Sequence, residues 1–201
     1  MNNDYQDFAI ILTWPDATIR GDEKWMMFFK KIGIVKNLNF KVGHTGVVII
    51  DHQTGDMLFY DFGRYITPRG YGRARSKFSD PLLDIQLKAE IQDNEIRNIP
   101  ELIKHFEELK PAMYGDGKLF FSIVKGINFQ KAKEYGDSCV EQGTYPYGAV
   151  AKNNNNCSRF ITRMLIKSSN KFHFWHMLNL PETIKSSPVS NLINAVDDRV
   201  I

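Results

Sequence analysis

The sequence of 201 residues predicts an α+β protein in which a central antiparallel sheet packs against a helix that carries a cysteine. Two β-rich apolar runs, residues 40–50 and 57–65, flank a short polar segment centred on Thr54-Gly55, which is typical of a β-hairpin. Apolar residues after Cys157 recur with helical spacing. A single domain over residues 1–201 is the simplest organisation for a chain of this length.

The composition indicates a globular protein of ordinary polarity. Hydrophobic residues make up 43% and charged residues 24%, and the net charge of +3 gives no reason to expect a nucleic-acid or membrane-surface partner. No segment has the apolar length of a membrane span, and the amino terminus lacks the layout of a signal peptide, so we expect a cytoplasmic protein. Because Cys139 and Cys157 form no CxxC pair, we expect neither a disulfide framework nor a metal or other cofactor.

The first half of the chain contains three further regular elements, two before the hairpin and one after it. Residues 8–14 form an apolar run closed by Pro15-Asp16, which predicts a buried first strand. Residues 23–33 have a helical apolar pattern that ends at a glycine. The Gly-, Arg- and aromatic-rich residues 67–77 indicate a loop, and the alternation over residues 81–90 indicates another strand.

The second half leads to the cysteine helix. Residues 100–109 predict a helix with proline near its first turn, residues 118–124 a buried strand, and residues 128–135 a helix capped by Asn128. Residues 136–151 are predicted to be a loop. No element is assigned from residue 171 onward.

Cys157 lies at a position where a thiol can become a nucleophile. Four asparagines, residues 153–156, precede it and favour a turn and a helix cap. In the first helical turn, unpaired backbone N–H groups and the positive end of the helix dipole favour thiolate over thiol. The alternative is a small buried residue that begins a helix, since free cysteine is commonly buried.

His44 is the best candidate for a base. It precedes the apolar strand at 47–50 and lies between Gly43 and Gly46, which fits a site where a ligand approaches the backbone closely. A strand-end histidine exposed to water is the alternative. The other histidines are expected to be exposed or packed, and no zinc site is expected from them: His52, His105, His173 and His176.

Two motifs resemble one known family. Residues 43–50 (GHTGVVII) resemble the histidine strand, and residues 156–161 (NCSRFI) the nucleophile helix, of circularly permuted papain-like, NlpC-type cysteine hydrolases, which include YiiX-like and lecithin:retinol acyltransferase-like proteins. In that group the histidine strand precedes the cysteine helix, as here. The resemblance implies a papain-like fold in permuted order and acyl transfer, with Cys157 as nucleophile, His44 as base and the Cys157 N–H in an oxyanion hole.

The resemblance also implies a polar residue on the following strand that orients the imidazole. A hairpin centred on Thr54-Gly55 places Tyr65 nearly opposite His44, with Asp61 on the same face of the sheet. Asp61 is the better partner chemically, because a carboxylate stabilises imidazolium, and Tyr65 is the better placed. Both remain open, as does an inactive relative that has lost this third residue.

Some candidate substrate-binding residues precede the cysteine motif, and others follow the histidine motif. Tyr145 and Tyr147 could line a pocket, and the 63–75 segment, which includes Arg64 and Arg73, could select an anionic or peptidic substrate. The leading hypothesis is therefore a cysteine peptidase or amidase acting on a peptide or cell-wall peptide, with acyl-ester hydrolysis second. The rival is a non-catalytic module that holds an anionic ligand or nucleic acid with the Arg64–Arg75 segment.

Overall fold

A computed structural model describes residues 4–20, 39–41, 43–148, 153–170 and 188–195. Its largest element is a six-stranded antiparallel sheet. The six strands are β1 (Asp7–Trp14), β4 (His44–Ile50), β5 (Met57–Gly63), β6 (Tyr71–Arg75), β9 (Phe120–Ile127) and β10 (Thr144–Pro146). They lie side by side in the order β10-β6-β5-β4-β1-β9. Two sheets of two antiparallel strands are also described: β2 (Thr18–Arg20) with β3 (Asn39–Lys41), and β7 (Ile91–Gln92) with β8 (Glu95–Ile96).

Four α-helices and one 3-10 helix (Pro81–Leu83) are described. They are α1 (Ile99–Leu109), α2 (Phe129–Glu141), α3 (Cys157–Ser168) and α4 (Pro188–Asn194). The helix α2 begins as predicted, because the Asn128 side chain accepts a hydrogen bond from the Lys131 N–H at 2.8 Å.

The sheet separates two apolar cores because its central strands are buried on both faces. One core packs α2 and α3 against alternate residues of β1, β4 and β5, with Phe160 and Met164 fully buried. The other core packs α1 and residues 83–113 against the opposite face, with Leu102 and Phe106 fully buried. The α+β prediction, with an antiparallel sheet against the cysteine helix, is therefore confirmed.

Most predicted elements form, with three corrections. Residues 71–75 form strand β6 and are not part of a loop. The small residues Gly72 and Ala74 alternate with Arg73 and Arg75, and both arginines form ion pairs with carboxylates of the chain, so the segment can pair with β5. Residues 81–90 hold a 3-10 turn and no strand. Within 136–151, α2 continues to Glu141 and β10 follows. The helix predicted at 23–33 and most of the tail from residue 171, with His173 and His176, lie outside the described residues.

Candidate active site

Cys157 is the first residue of α3, as the asparagine run predicts. Asn156 is extended (φ −151°) and its side chain accepts a hydrogen bond from the Arg159 N–H at 2.9 Å. The first bond of the helix runs from the Phe160 N–H to the Asn156 carbonyl at 3.0 Å, so the N–H groups of Cys157 and Ser158 have no acceptor within the helix. The Cys157 thiol therefore lies at the positive end of the helix dipole.

The residue before this cap fixes the cysteine helix to the sheet. The buried Asn155 donates its backbone N–H to the Pro146 carbonyl at 2.9 Å and accepts from the Gly148 N–H at 3.0 Å. Its side chain accepts from the Asn156 N–H at 3.1 Å. The start of α3 is thus held at the end of β10, and the site lies where the sheet ends.

His44 is the first residue of β4 and is buried, with 6% of its surface exposed. It pairs with Trp14 across the sheet, and the two rings stack at 6.1 Å between centroids. Its Nε2 lies 3.1 Å from Asp61 Oδ2 and 3.0 Å from the Tyr65 hydroxyl, and the Cys157 side chain is near enough to the imidazole to raise its pKa. Because Asp61 and Tyr65 occupy Nε2, we assign Nδ1 to the thiol.

The hairpin register differs from the predicted one by two residues. Gly46 pairs with Asp61, so Asp61 is the diagonal neighbour of His44 on the same face. Tyr65 lies beyond the end of β5 and returns to the site through its hydroxyl, which donates to Asp61 Oδ2 at 2.7 Å. The sequence did not decide whether Asp61 or Tyr65 is the partner of the imidazole, and in the structure both residues contact His44.

A glycine and a strained residue allow Tyr65 to fold back. A Cβ at Gly63 would lie 2.5 Å from the Tyr65 ring, so this ring requires a residue without a side chain there. Directly after Tyr65, Ile66 adopts φ +47°, a conformation that β-branched residues rarely take. Such strain is found at sites where surrounding contacts enforce it.

Burial and neighbouring charges determine the protonation states of Asp61 and His44. Burial alone would raise the pKa of Asp61, but the Arg75 charge and hydrogen bonds from His44 and Arg75 lower it below its usual value. Burial alone would lower the pKa of His44, but hydrogen bonds to Asp61 and Cys157 raise it to about 9. Asp61 is thus an anion that accepts from Nε2–H, so we assign proton exchange with the thiol to Nδ1.

The predicted substrate-binding residues are largely engaged within the chain. Tyr147 stacks on Phe62 at 6.2 Å and carries the Arg64 guanidinium 4.6 Å above its ring, and Tyr145 contacts Phe62 edge-on at 5.7 Å. Arg73 donates to both oxygens of Asp80 at 3.0 Å and to the Tyr65 carbonyl at 2.9 Å.

Arg73 therefore holds the segment that bears Tyr65, and the Arg64–Arg75 segment is not the open arginine-rich loop that the binding-module hypothesis requires. Part of it is strand β6, and both arginines of that strand form ion pairs with carboxylates of the same chain.

Two contributors were missed at the level of sequence. Arg75 is 2% exposed and pairs with Asp61 through Nη2 and Oδ2 at 2.6 Å. Trp14, fully buried, covers the His44 ring. The alternation of small and charged residues over 72–75 is the local signal that would have indicated a strand.

A pocket of about 610 Å³ opens beside the network. Arg75 and Tyr114 line it, together with apolar side chains that include Leu82 and Leu83. Within the described ranges, no group of three or more His, Cys, Asp and Glu side chains is arranged to hold a metal ion. Among the helices of the same ranges, none has the length and apolarity of a membrane span.

One family model covers most of the chain. The family model described as "Type VI secretion system effector TseH-like" matches residues 9–174, which include His44, Asp61 and Cys157. The chain belongs to this TseH-like family. Its fold resembles the crystal structure of the type VI secretion system effector TseH, with a TM-score of 0.56 and 20% sequence identity over 82% of this chain and 77% of that one. At 20% identity, this structural similarity to TseH shows that the two chains share a fold. No curated protein matches the chain.

Proposed function

We propose that this TseH-like protein is a cysteine hydrolase of papain-like type in permuted order, with Cys157 as nucleophile, His44 as general base and Asp61 as the residue that orients His44. One observation carries the proposal: a cysteine at a helix start lies near enough to a buried imidazole to raise its pKa, and Nε2 of that imidazole is 3.1 Å from a carboxylate whose own pKa is lowered. Nucleophile, base and orienting group in this order are the arrangement that activates a thiol.

The reaction follows from these positions. Because its pKa is raised, His44 holds the proton of the thiol at Nδ1, and the Cys157 sulfur attacks the carbonyl carbon as the thiolate, so that a C–S bond forms and the carbonyl electrons move to oxygen. The N–H groups at the start of α3 stabilise that oxyanion. The imidazolium then protonates the departing amine or alcohol as its bond to carbon breaks, which leaves a thioester. Water, deprotonated by His44, attacks the thioester and releases the acid and the thiol.

The substrate that we propose is a peptide, with cell-wall peptide first and an acyl ester second. The family consists of type VI secretion system effectors by its description, and we therefore propose that the hydrolase acts after delivery by such a system. Hydrolysis of a structural peptide of the recipient cell is a reaction that suits an effector.

The first test is thiol reactivity. Cys157 and Cys139 are 4% and 5% exposed, so accessibility alone gives no reason for one to react faster. At about pH 6, where an ordinary thiol barely reacts, we expect iodoacetamide to modify Cys157 much faster than Cys139, as measured by peptide mass spectrometry. The variant His44→Gln is expected to slow Cys157 and leave Cys139 unchanged.

The second test is turnover. Purified protein is incubated with peptidoglycan fragments and with p-nitrophenyl acetate as a generic acyl donor, and new amine termini, acids and nitrophenolate are quantified. We expect product from the wild type and none above background from Cys157→Ala. Equal alkylation of both cysteines, or product formation that survives Cys157→Ala, contradicts the proposal.

A further inference from the structure

Arg75 is a buried cation that the proposed reaction does not use. It lies on β6 directly across from Asp61 on β5, and only 2% of its surface is exposed. Removing a guanidinium from water is costly unless its charge and its N–H groups are matched. The contacts that match it therefore indicate what it does.

The guanidinium of Arg75 is fixed in position and in plane. Its Nε donates to Asp61 Oδ1 at 3.0 Å and its Nη2 to Oδ2 at 2.6 Å, and Nη1 donates to the Ala112 carbonyl at 3.0 Å. The Tyr65 ring lies 3.5 Å from the guanidinium carbon and the Tyr114 ring 4.9 Å from it. A bidentate pair between a planar fork and a carboxylate determines the orientation of both groups.

That orientation matters because Asp61 Oδ2 is where the network converges. The oxygen accepts from the Tyr65 hydroxyl at 2.7 Å and faces His44 Nε2 at 3.1 Å, in addition to the Arg75 bond. A buried carboxyl without a cation would favour its neutral form. A neutral Asp61 would no longer hold His44 in the state that exchanges a proton with Cys157.

We propose that Arg75 is a positioning residue of this site, whose bidentate fork keeps the Asp61 carboxylate ionised and directed at His44 Nε2. The inference rests on the proposed function, since it acts through His44 on Cys157. Both the charge and the fork are required: a lysine supplies the charge as a single point, and an alanine supplies neither.

A second group of the same chemistry provides a matched control on the opposite face of the sheet. Asp137 accepts from the Tyr60 hydroxyl at 2.7 Å and pairs with the Lys133 ammonium at 2.5 Å. The group of Asp137, Tyr60 and Lys133 therefore contains a carboxylate, a tyrosine hydroxyl and a cation, as the group around Arg75 does. It has no part in the His44 network. The variant Lys133→Met reports the effect of losing such a cation away from the site.

The experiment measures the alkylation rate of Cys157 by iodoacetamide across pH, which needs no substrate. We expect Arg75→Ala to slow the reaction at about pH 6 by at least ~10-fold and to move the acid limb up by about one pH unit, because a tenfold change corresponds to one unit. Arg75→Lys is expected to be intermediate and Lys133→Met unchanged. Because Arg75 lines the pocket, added methylguanidinium is expected to restore the rate of Arg75→Ala only.

The outcomes separate this inference from the proposed function. Wild-type Cys157 that reacts no faster than Cys139 contradicts the proposed function itself. A second outcome overturns the role of Arg75 and leaves the proposed function standing. In it, wild-type Cys157 reacts faster than Cys139, but the pH profile of Cys157 alkylation in folded Arg75→Ala is the same as in the wild type or moves to lower pH. If Arg75→Ala does not fold, the His44 imidazole is titrated by NMR in Arg75→Lys: a lowered pKa supports the role, and an unchanged pKa overturns it.

Discussion

Raising the pH tests whether the buried imidazole contributes to folding as the structure indicates. The pKa of His44 is about 9 in the folded protein, against 6.5 in an unfolded chain. Because the folded value is the higher one, the proton stabilises the fold fully below about pH 6.5 and this contribution is lost as the pH rises through about 9. A separation of about 2.5 units corresponds to about 3 kcal/mol of unfolding free energy.

The assay is urea unfolding followed by far-UV circular dichroism from about pH 6 to about pH 10, on the wild type and on His44→Gln. The variant keeps a hydrogen-bond donor but has no titrating group, so the difference between the two proteins isolates His44. We expect the wild type to lose about 3 kcal/mol relative to the variant over this range. In the Cys157→Ala background the loss should be smaller, since a hydrogen bond that raises the pKa of His44 is gone. A difference that stays flat with pH would refute the reasoning.

Four further substitutions test the site and its supports. Asn156→Ala and Asn128→Ala each remove one helix cap and should each cost about 1 kcal/mol in urea unfolding, but only the first should slow alkylation of the nucleophile; equal effects on alkylation would contradict the role of the cap. Gly115→Ala brings a Cβ within 2.5 Å of the buried Trp14 ring, so we expect a loss of about 1–3 kcal/mol and altered tryptophan fluorescence, and an unchanged spectrum would argue against this packing. Tyr65→Phe removes one hydroxyl and leaves the ring in place, so turnover should fall with a stability change of about 1–2 kcal/mol, whereas unaltered turnover would show that the hydroxyl is dispensable.

The elements that the sequence predicted correctly are those with strong local signals. The strand at 8–14 is apolar on both faces, and the Asn128 and Asn156 caps are the side chains that such positions favour. The fold class followed from the hairpin and from the helix after Cys157. These features depend on neighbours a few residues apart, which a sequence displays directly.

What could not be predicted depends on distant partners. The register of β4 and β5 is shifted by two residues from the one expected from the turn, and this brings Asp61 next to His44. Arg75 looked like part of a solvated loop, because nothing near it in the sequence shows that β6 pairs with β5 or that Asp61 lies across from it. Tyr65 reaches the site through a local reversal that includes the unusual φ of Ile66, for which the sequence holds no signal.

The hairpin that carries His44 and Asp61 has its chemistry at one end and its turn at the other. Ile50 lies six positions along β4 from His44, which at about 3.3 Å per residue places the turn about 20 Å from the imidazole. Gln53 and Thr54 at that turn are exposed. This turn is therefore an attachment point: a fluorophore or an epitope placed at Gln53 would report the location of the protein in a cell while the reacting groups stay untouched.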